Sequence, residues 1–231
     1  MRIDILTIFP EMLRGVFADS ILKRAQDKEI LRVYFHDIRA YSQNKHRKVD
    51  DRPFGGGPGM VMTCQPVVDA VRAVQAQAEA GRLIFMCPGG KKFSQTAAAE
   101  LARASRLILV CGRYEGFDER IFTLLQPEII SIGDYVLSGG ELAAAVLADA
   151  VTRLLPKVLG DEHSAAEDSF SLRNERGEPL LDYPHYAPPA LYAGLAAPEI
   201  LRGGNHAEIN RWRREQAEQR TRERRPDLFR V

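Results

Sequence analysis

The sequence predicts an α/β fold, with a mostly parallel sheet covered by helices on both faces and a small, mainly helical C-terminal domain. Short apolar runs alternate with amphipathic segments along residues 1–160, which is the pattern of such a sheet. Three consecutive strand-and-helix units in this part are joined by glycine turns. The apolar content falls after Pro156. We therefore predict a domain over 1–160, a linker over 161–181 and a helical domain over 182–231.

Composition and charge narrow the class of protein. The chain has 231 residues, of which 45% are hydrophobic and 27% charged, and its net charge of +1 gives no global sign of nucleic-acid binding. Cys64, Cys87 and Cys111 lie in or beside apolar runs without CxxC spacing, so we expect buried free thiols in a reducing compartment. The N-terminus shows no signal-peptide pattern, and no apolar run approaches the roughly 18 residues of a membrane span. We expect a cytoplasmic protein.

The first third of the chain contains ordinary elements and one long polar segment. Residues 2–9 and 31–35 are predicted strands, a helix is predicted from Pro10, and 65–80 form an amphipathic helix. Between them, residues 40–59 hold four cations and a glycine-rich end. A structureless loop of this length suits phosphate contact or close backbone approach, and a mobile solvated loop is the alternative.

Three strand–turn–helix units follow, and their turns should meet where parallel strands end. In the first unit the predicted strand is 83–87, the turn 88–92, and the helix begins at Ser94. In the second unit the strand is 107–111, the turn 112–116 and the helix 117–125. In the third unit the strand is 127–130, the turn 131–140 and the helix 141–155. Gly133, Gly139 and Gly140 lack the Cβ that would keep a flat ligand from the backbone. None of the turns matches GxGxxG or GxxxxGK[ST], which disfavours a dinucleotide-binding oxidoreductase. Three ordinary connecting turns are the alternative to one shared pocket.

The C-terminal end is locally basic. Residues 205–225 are a predicted helix with one tryptophan, and arginines outnumber acidic residues seven to three between 210 and 225. This excess favours contact with nucleic-acid phosphate. The alternative is a solvated helix with ion pairs four residues apart, such as Arg211–Glu215 and Arg214–Glu218.

Four sequence blocks, in this order along nearly the whole chain, closely resemble the bacterial tRNA (guanine-N1)-methyltransferases. They are DDRPFGGGPGM at 50–60, VCGRYEGFDER at 110–120, SIGDYVLSGGE at 131–141 and GGNHAEI at 203–209. The resemblance implies a knotted, SPOUT-type enzyme that transfers a methyl group from S-adenosylmethionine to N1 of guanosine 37, beside the anticodon. It also implies a trefoil knot in the C-terminal part of the α/β domain and an obligate homodimer. The implied partner is tRNA, with no DNA and no membrane.

The resemblance also assigns site residues, in an active site that combines the knot of one subunit with the linker and C-terminal domain of the other. Asp168 matches a general base for guanine N1, Arg153 a cation that stabilises charge on O6, and Glu115 a carboxylate linked with both in a magnesium-dependent arrangement. The implied RNA contacts are Arg52, Arg113, Arg211 and Arg214. The donor positions are Phe85, Met86, Cys87, Pro88, Gly112, Tyr114, Ser131, Ile132, Gly133, Asp134, Tyr135, Val136, Leu137, Gly139 and Gly140.

Some observations leave alternatives open. By pattern alone, Asp168 is an ordinary turn residue and Arg153 a cation opposing a helix dipole, and the three catalytic candidates give no metal-ligand spacing. Family members often have serine where Cys87 stands, and residues 171–179 form a longer segment than the family's. A related knotted methyltransferase for another RNA or a ribose hydroxyl, and a non-catalytic RNA-binding protein that keeps the donor pocket, remain alternatives.

Overall fold

A five-stranded parallel sheet forms the centre of the first of two structural units, Met1–Leu159. The computed structural model describes residues 1–160 and 167–229. The strands of the sheet are β1 Arg2–Thr7, β2 Arg32–Asp37, β5 Arg82–Lys92, β6 Arg106–Cys111 and β7 Glu128–Ser131, in the order β2-β1-β6-β5-β7. All neighbours pair in parallel, as predicted. The trefoil knot stays a prediction.

Helices cover both faces of this sheet, which confirms the predicted fold class. Their bounds are α1 Glu11–Phe17, α2 Ser20–Asp27, α3 Cys64–Gln75, α4 Gln95–Leu101, α5 Arg120–Leu125 and α6 Glu141–Thr152. Ile5 and Leu109 face the core under α1, α2, α4 and α6. Leu6 and Val110 face the core under α3 and α5. Because successive side chains of a strand point to opposite faces, strands buried on both sides are continuously apolar.

The polar segment 40–59 is more ordered than the predicted structureless loop. A 3₁₀ turn, Ile38–Tyr41, includes its first two residues, and β3 Asp50–Asp51 pairs antiparallel with β4 Val61–Met62. Val49 is buried, and its carbonyl accepts a hydrogen bond of 2.8 Å from the Thr63 N–H. Residues 42–49 and the glycine-rich stretch between β3 and β4 stay without helix or strand, but the pair β3–β4 and the buried Val49 attach them to the domain.

The turn predicted over 88–92 is wrong, because β5 continues to Lys92. Met86 and Lys91 both pair with Ile130, so the register against β7 shifts and the residues between them bulge from the strand. Gly90 allows this pairing, since an added Cβ would lie 2.5 Å from the Ile130 nitrogen. The helix predicted from Pro10 is likewise two helices, separated where Asp19 is extended and accepts a hydrogen bond from the Ser20 N–H.

A buried charge cluster lies at the amino end of the sheet. Asp4 is 0% exposed and Arg106 1%, and Arg106 Nε donates to the Asp4 carboxylate at 2.8 Å. Burial raises the pKa of Asp4, but hydrogen bonds from His36, Arg2 and Arg106 outweigh it and lower the pKa to about 2. Arg106 also donates to the Val74 carbonyl at 2.6 Å. The cluster joins β1 to the end of α3.

The second unit, Gly160–Val231, contains the long helix α7, His206–Arg224, close to the predicted 205–225. A short hairpin, β8 Leu191–Tyr192 with β9 Leu195–Ala196, precedes it. Its small core includes Leu180, Tyr183 and Ala217. The described residues 167–181 fold into this unit, and the linker assigned to 161–181 stays a prediction. Over residues 1–160 and 167–229, the helices are all too short or too polar to cross a bilayer.

Candidate active site

A pocket of about 390 Å³ lies where β5, β6 and β7 end. The bulged end of β5, the turn after β6 and the turn between β7 and α6 form its walls. Sequence analysis predicted that these three segments would meet, and most of the predicted donor positions line the pocket. They are Met86, Cys87, Pro88, Gly112, Tyr114, Ser131, Ile132, Gly133, Tyr135, Val136, Leu137, Gly139 and Gly140.

Phe85 and Asp134 do not line the pocket. Strand alternation turns Phe85 towards the α3 and α5 side, where its ring centroid lies 4.8 Å from that of Phe117 and 5.5 Å from that of Phe122. Phe85 therefore supports the pocket wall from behind, since Phe117 and Phe122 do line it. The exposed Asp134 carboxylate pairs with Lys92 Nζ at 2.7 Å.

The turn after β6 is held in a costly conformation. Tyr114 has φ +62°, in the left-handed region that costs a bulky residue about 1–2 kcal/mol. Neighbouring hydrogen bonds fix it: the Glu115 N–H donates to the Met60 carbonyl at 2.9 Å, and the Met62 N–H donates to the Gly116 carbonyl at 2.8 Å. The turn is thereby attached to the end of the glycine-rich loop, and Tyr114 and Glu115 both line the pocket.

Gly139 and Gly140 serve packing within the chain. A Cβ at Gly139 would overlap the side chains of Arg113 and Glu141. At Gly140 it would lie 2.9 Å from the Cys111 Cα. The expectation that these glycines leave room for a ligand is therefore corrected, because protein atoms occupy that space. Their small size lets the turn before α6 approach the end of β6.

Sequence reasoning missed a buried ion pair beside the pocket. Glu141, in the first turn of α6, is 0% exposed, and its carboxylate accepts hydrogen bonds from Thr7 Oγ1 at 2.7 Å and Arg113 Nε at 3.0 Å. Arg113 Nη1 also donates to the Ser138 carbonyl at 3.1 Å. A glutamate in the first turn of a helix is common because its charge interacts favourably with the helix dipole. No local sequence signal therefore distinguished Glu141 from other glutamates at helix starts. The RNA contact assigned to Arg113 stays a prediction.

Comparison with known proteins assigns the family. A family model described as tRNA (Guanine-1)-methyltransferase TrmD matches residues 1–231. The chain belongs to this family. It is similar to proteins named tRNA (guanine-N(1)-)-methyltransferase from Shouchella clausii (54% identity over 99% of this chain and 91% of the relative), Moorella thermoacetica (55%, 99% and 90%) and Bacillus licheniformis (53%, 99% and 92%). The enzyme class is therefore that of a methyltransferase acting on guanine in tRNA.

The three catalytic candidates of this methyltransferase belong to different elements of the chain. Glu115 lines the pocket. Arg153 follows the last residue of α6, whereas Gly140 precedes the first. Because α6 has 12 residues and a helix rises about 1.5 Å per residue, Arg153 lies about 18 Å along the helix from the pocket end. Asp168 belongs to the second unit, where its carbonyl accepts a hydrogen bond of 3.0 Å from the Ser171 N–H.

The remaining RNA candidates are exposed. Arg52 lies at the start of the glycine-rich loop, and Arg211 and Arg214 lie on α7. On this helix Glu218 pairs with Arg222 at 3.6 Å, four residues apart, and not with Arg214 as the solvated-helix alternative proposed. Exposure of this kind suits phosphate contact, and the roles of these arginines stay predictions.

The cysteines and carboxylates give limited evidence of other chemistry. All three cysteines are free, but only Cys111 is buried, whereas Cys64 and Cys87 are half-buried. The prediction of three buried thiols was thus wrong for two of them. Burial raises the pKa of the Cys111 thiol well above its usual range. Across residues 1–160 and 167–229, no three His, Cys, Asp or Glu side chains are grouped to hold a metal ion, and the magnesium-dependent arrangement stays a prediction.

Proposed function

We propose that this enzyme transfers a methyl group from S-adenosylmethionine to N1 of guanosine 37 in cytoplasmic tRNA. The pocket where three strands end carries the proposal, because its volume of about 390 Å³ suits a ligand of this size. Its glycine and apolar lining offers backbone N–H and C=O groups to an adenine edge and covers the adenine face. When bound, the donor's sulfonium supplies an electrophilic methyl carbon.

The acceptor needs a base, because guanine N1 carries a proton at neutral pH and is a poor nucleophile. In the proposed reaction the Asp168 carboxylate takes this proton while the N1 electron pair forms the bond to the methyl carbon. The carbon–sulfur bond breaks, and its electrons stay on sulfur as a neutral thioether. Negative charge moves towards guanine O6, where the Arg153 guanidinium stabilises it. Glu115, at the pocket wall, orients these groups.

Exposed apolar side chains on α6, on α1 and just before α1 support a homodimer. We call Phe9, Met12, Val16, Leu142 and Val146 the interface patch. These side chains are 42–50% exposed. Exposed apolar side chains on two elements that pack against each other are typical of a protein interface.

The direction of α6 supports an active site shared across that dimer. Leu142, Val146 and Arg153 are spaced four and seven residues apart, so they lie on one helix face. Two-fold symmetry that packs α6 antiparallel against its copy would bring each Arg153 towards the pocket end of the other α6. In this arrangement Arg153 acts at the pocket of the partner subunit, so the distance of about 18 Å between Arg153 and the pocket end of its own α6 no longer matters.

Binding of tRNA is assigned to the exposed arginines. Arg52, at the start of the glycine-rich loop, and Arg211 and Arg214 on α7 would contact phosphates and so position the RNA. The guanosine itself would leave its stack and be read on its Watson–Crick edge.

The deciding experiment measures transfer of labelled methyl from S-adenosylmethionine to two unmodified tRNA transcripts. They are identical except for guanosine or adenosine at position 37. Label on the guanosine transcript alone, mapped to N1, is the expected result. Label at another position, or on a ribose, would identify a related methyltransferase with a different target. Absence of label with donor binding intact by calorimetry would favour a non-catalytic RNA-binding role.

A further inference from the structure

We propose that Thr7, Glu141 and Arg113 form a positioning clasp that holds the methyl-donor pocket in its binding shape. In this proposal Arg113 serves the clasp and not an RNA phosphate. The inference rests on the proposed function, since the ligand positioned is the methyl donor. Thr7 and Glu141 have no role in the proposed reaction.

The burial of Glu141 requires partners. An ionised carboxylate removed from water is costly unless it is paired and hydrogen-bonded. Thr7 Oγ1 donates to Glu141 Oε1 at 2.7 Å, while Arg113 Nε lies 3.1 Å from Oε1 and 3.0 Å from Oε2. The Arg113 side chain is only 13% exposed. The three side chains therefore act as one unit, in which loss of any member leaves a buried polar group without its partner.

The clasp connects three elements that are distant in sequence. Thr7 ends β1, Arg113 follows β6, and Glu141 begins α6. The turns that Arg113 and Glu141 join are two walls of the pocket. The Gly140 N–H donates to the Gly112 carbonyl at 2.8 Å, and Arg113 pairs with Gly139 as an isolated bridge. The charged pair lies beside these backbone contacts, and we expect its loss to change the separation of the two walls.

Two further contacts hold the guanidinium against the side chains of Phe9 and Met12. The Arg113 guanidinium carbon lies 4.7 Å from the centroid of the Phe9 ring, and its Nη2 lies 2.9 Å from Met12 Sδ. Both Phe9 and Met12 belong to the interface patch, so a second copy packed there would cover Arg113. The Cβ that Gly139 lacks would overlap Arg113 Nε and Glu141 Oε2, so the glycine turn is fitted to this position of the pair.

The test compares wild-type enzyme with Glu141→Gln and Arg113→Lys. Glutamine keeps an oxygen for Thr7 but loses the charge, and lysine keeps a charge but loses the planar fork. We expect each variant to bind S-adenosylmethionine about tenfold more weakly by calorimetry, with a matching rise in the KM for the donor and little change in the KM for tRNA. The double variant should bind the donor with about the same affinity as the single variant that binds it less tightly, because the residues act as one unit.

A matched control is available in the Arg82–Glu128 ion pair, which joins the amino ends of β5 and β7 with a 2.6 Å contact, away from the pocket. Glu128→Gln should leave the donor KM unchanged. If Glu141→Gln does not fold, Thr7→Val is the second variant, and about threefold weaker donor binding is expected. Wild-type donor affinity in the folded variants would overturn the clasp.

The same experiment separates this proposal from its rivals. One outcome would identify Arg113 as a phosphate contact and show that the clasp is wrong. In that outcome Arg113→Lys and Arg113→Ala both weaken tRNA binding, and Arg113→Ala lowers the slope of tRNA affinity against salt concentration by about one. Glu141→Gln would at the same time bind the donor normally. Failure of the wild-type enzyme to bind the donor at all would instead refute the proposed function.

Discussion

Replacing Val146 by glutamate is expected to dissociate the proposed homodimer and abolish methyl transfer. Complete burial of an apolar side chain contributes about 1.5–3 kcal/mol, and Val146 is 49% exposed before association. Its loss therefore removes about 1 kcal/mol per chain, or about 2 kcal/mol for the symmetric pair. This alone weakens association by about 30-fold. A glutamate carboxylate without a partner in each buried interface adds several kcal/mol.

Sedimentation equilibrium over a range of concentrations measures the dissociation constant, and tRNA methylation is assayed at the same concentrations. The matched control is Leu124→Glu, because Leu124 on α5 is 55% exposed and lies outside the interface patch. The control should remain dimeric and active. A Val146→Glu enzyme that stays dimeric and methylates tRNA at the wild-type rate would refute the reasoning, since the two-fold contact could not then run along α6.

Three further predictions concern stability, the pocket and the base. The folded-state pKa of Asp4, about 2, lies below its unfolded value, so Asp4 contributes about 2 kcal/mol of stability above pH 4, and this contribution is lost as the pH falls from about 4 to about 2. In urea unfolding, the stability of Asp4→Asn should therefore decline less over that range than the stability of the wild type, and an unchanged profile would contradict the prediction. Gly140→Ala places a methyl group 2.9 Å from the Cys111 Cα, and this overpacking should weaken donor binding at least tenfold. Wild-type donor affinity by calorimetry would show instead that the turn can adjust. The Asp168→Asn enzyme should bind the donor normally and transfer no methyl group. Heterodimers of one Asp168→Asn subunit and one Gly140→Ala subunit should regain part of the activity. No recovery in verified heterodimers would count against a shared site.

Local sequence patterns were sufficient for the sheet and for the place of the pocket. All six residues of β6 are buried, and its continuous apolar run is what a strand covered on both faces requires. The glycine turns after β6 and β7 were predicted correctly because parallel strands end at one edge. The resemblance of four sequence blocks identified the family over the whole chain.

The roles of individual side chains depended on contacts that no local pattern encodes. Thr7 and Glu141 are 134 positions apart, and only the order of strands brings them within 2.7 Å. Glu141 therefore reads as an ordinary helix-start carboxylate in the sequence, yet in the fold it is a buried partner of Arg113. Similarly, Arg153 and the pocket share one helix, but its length of 12 residues keeps them apart. Sequence periodicity reports which face of an element is buried, whereas tertiary structure decides which distant groups share that burial and must satisfy each other's charge.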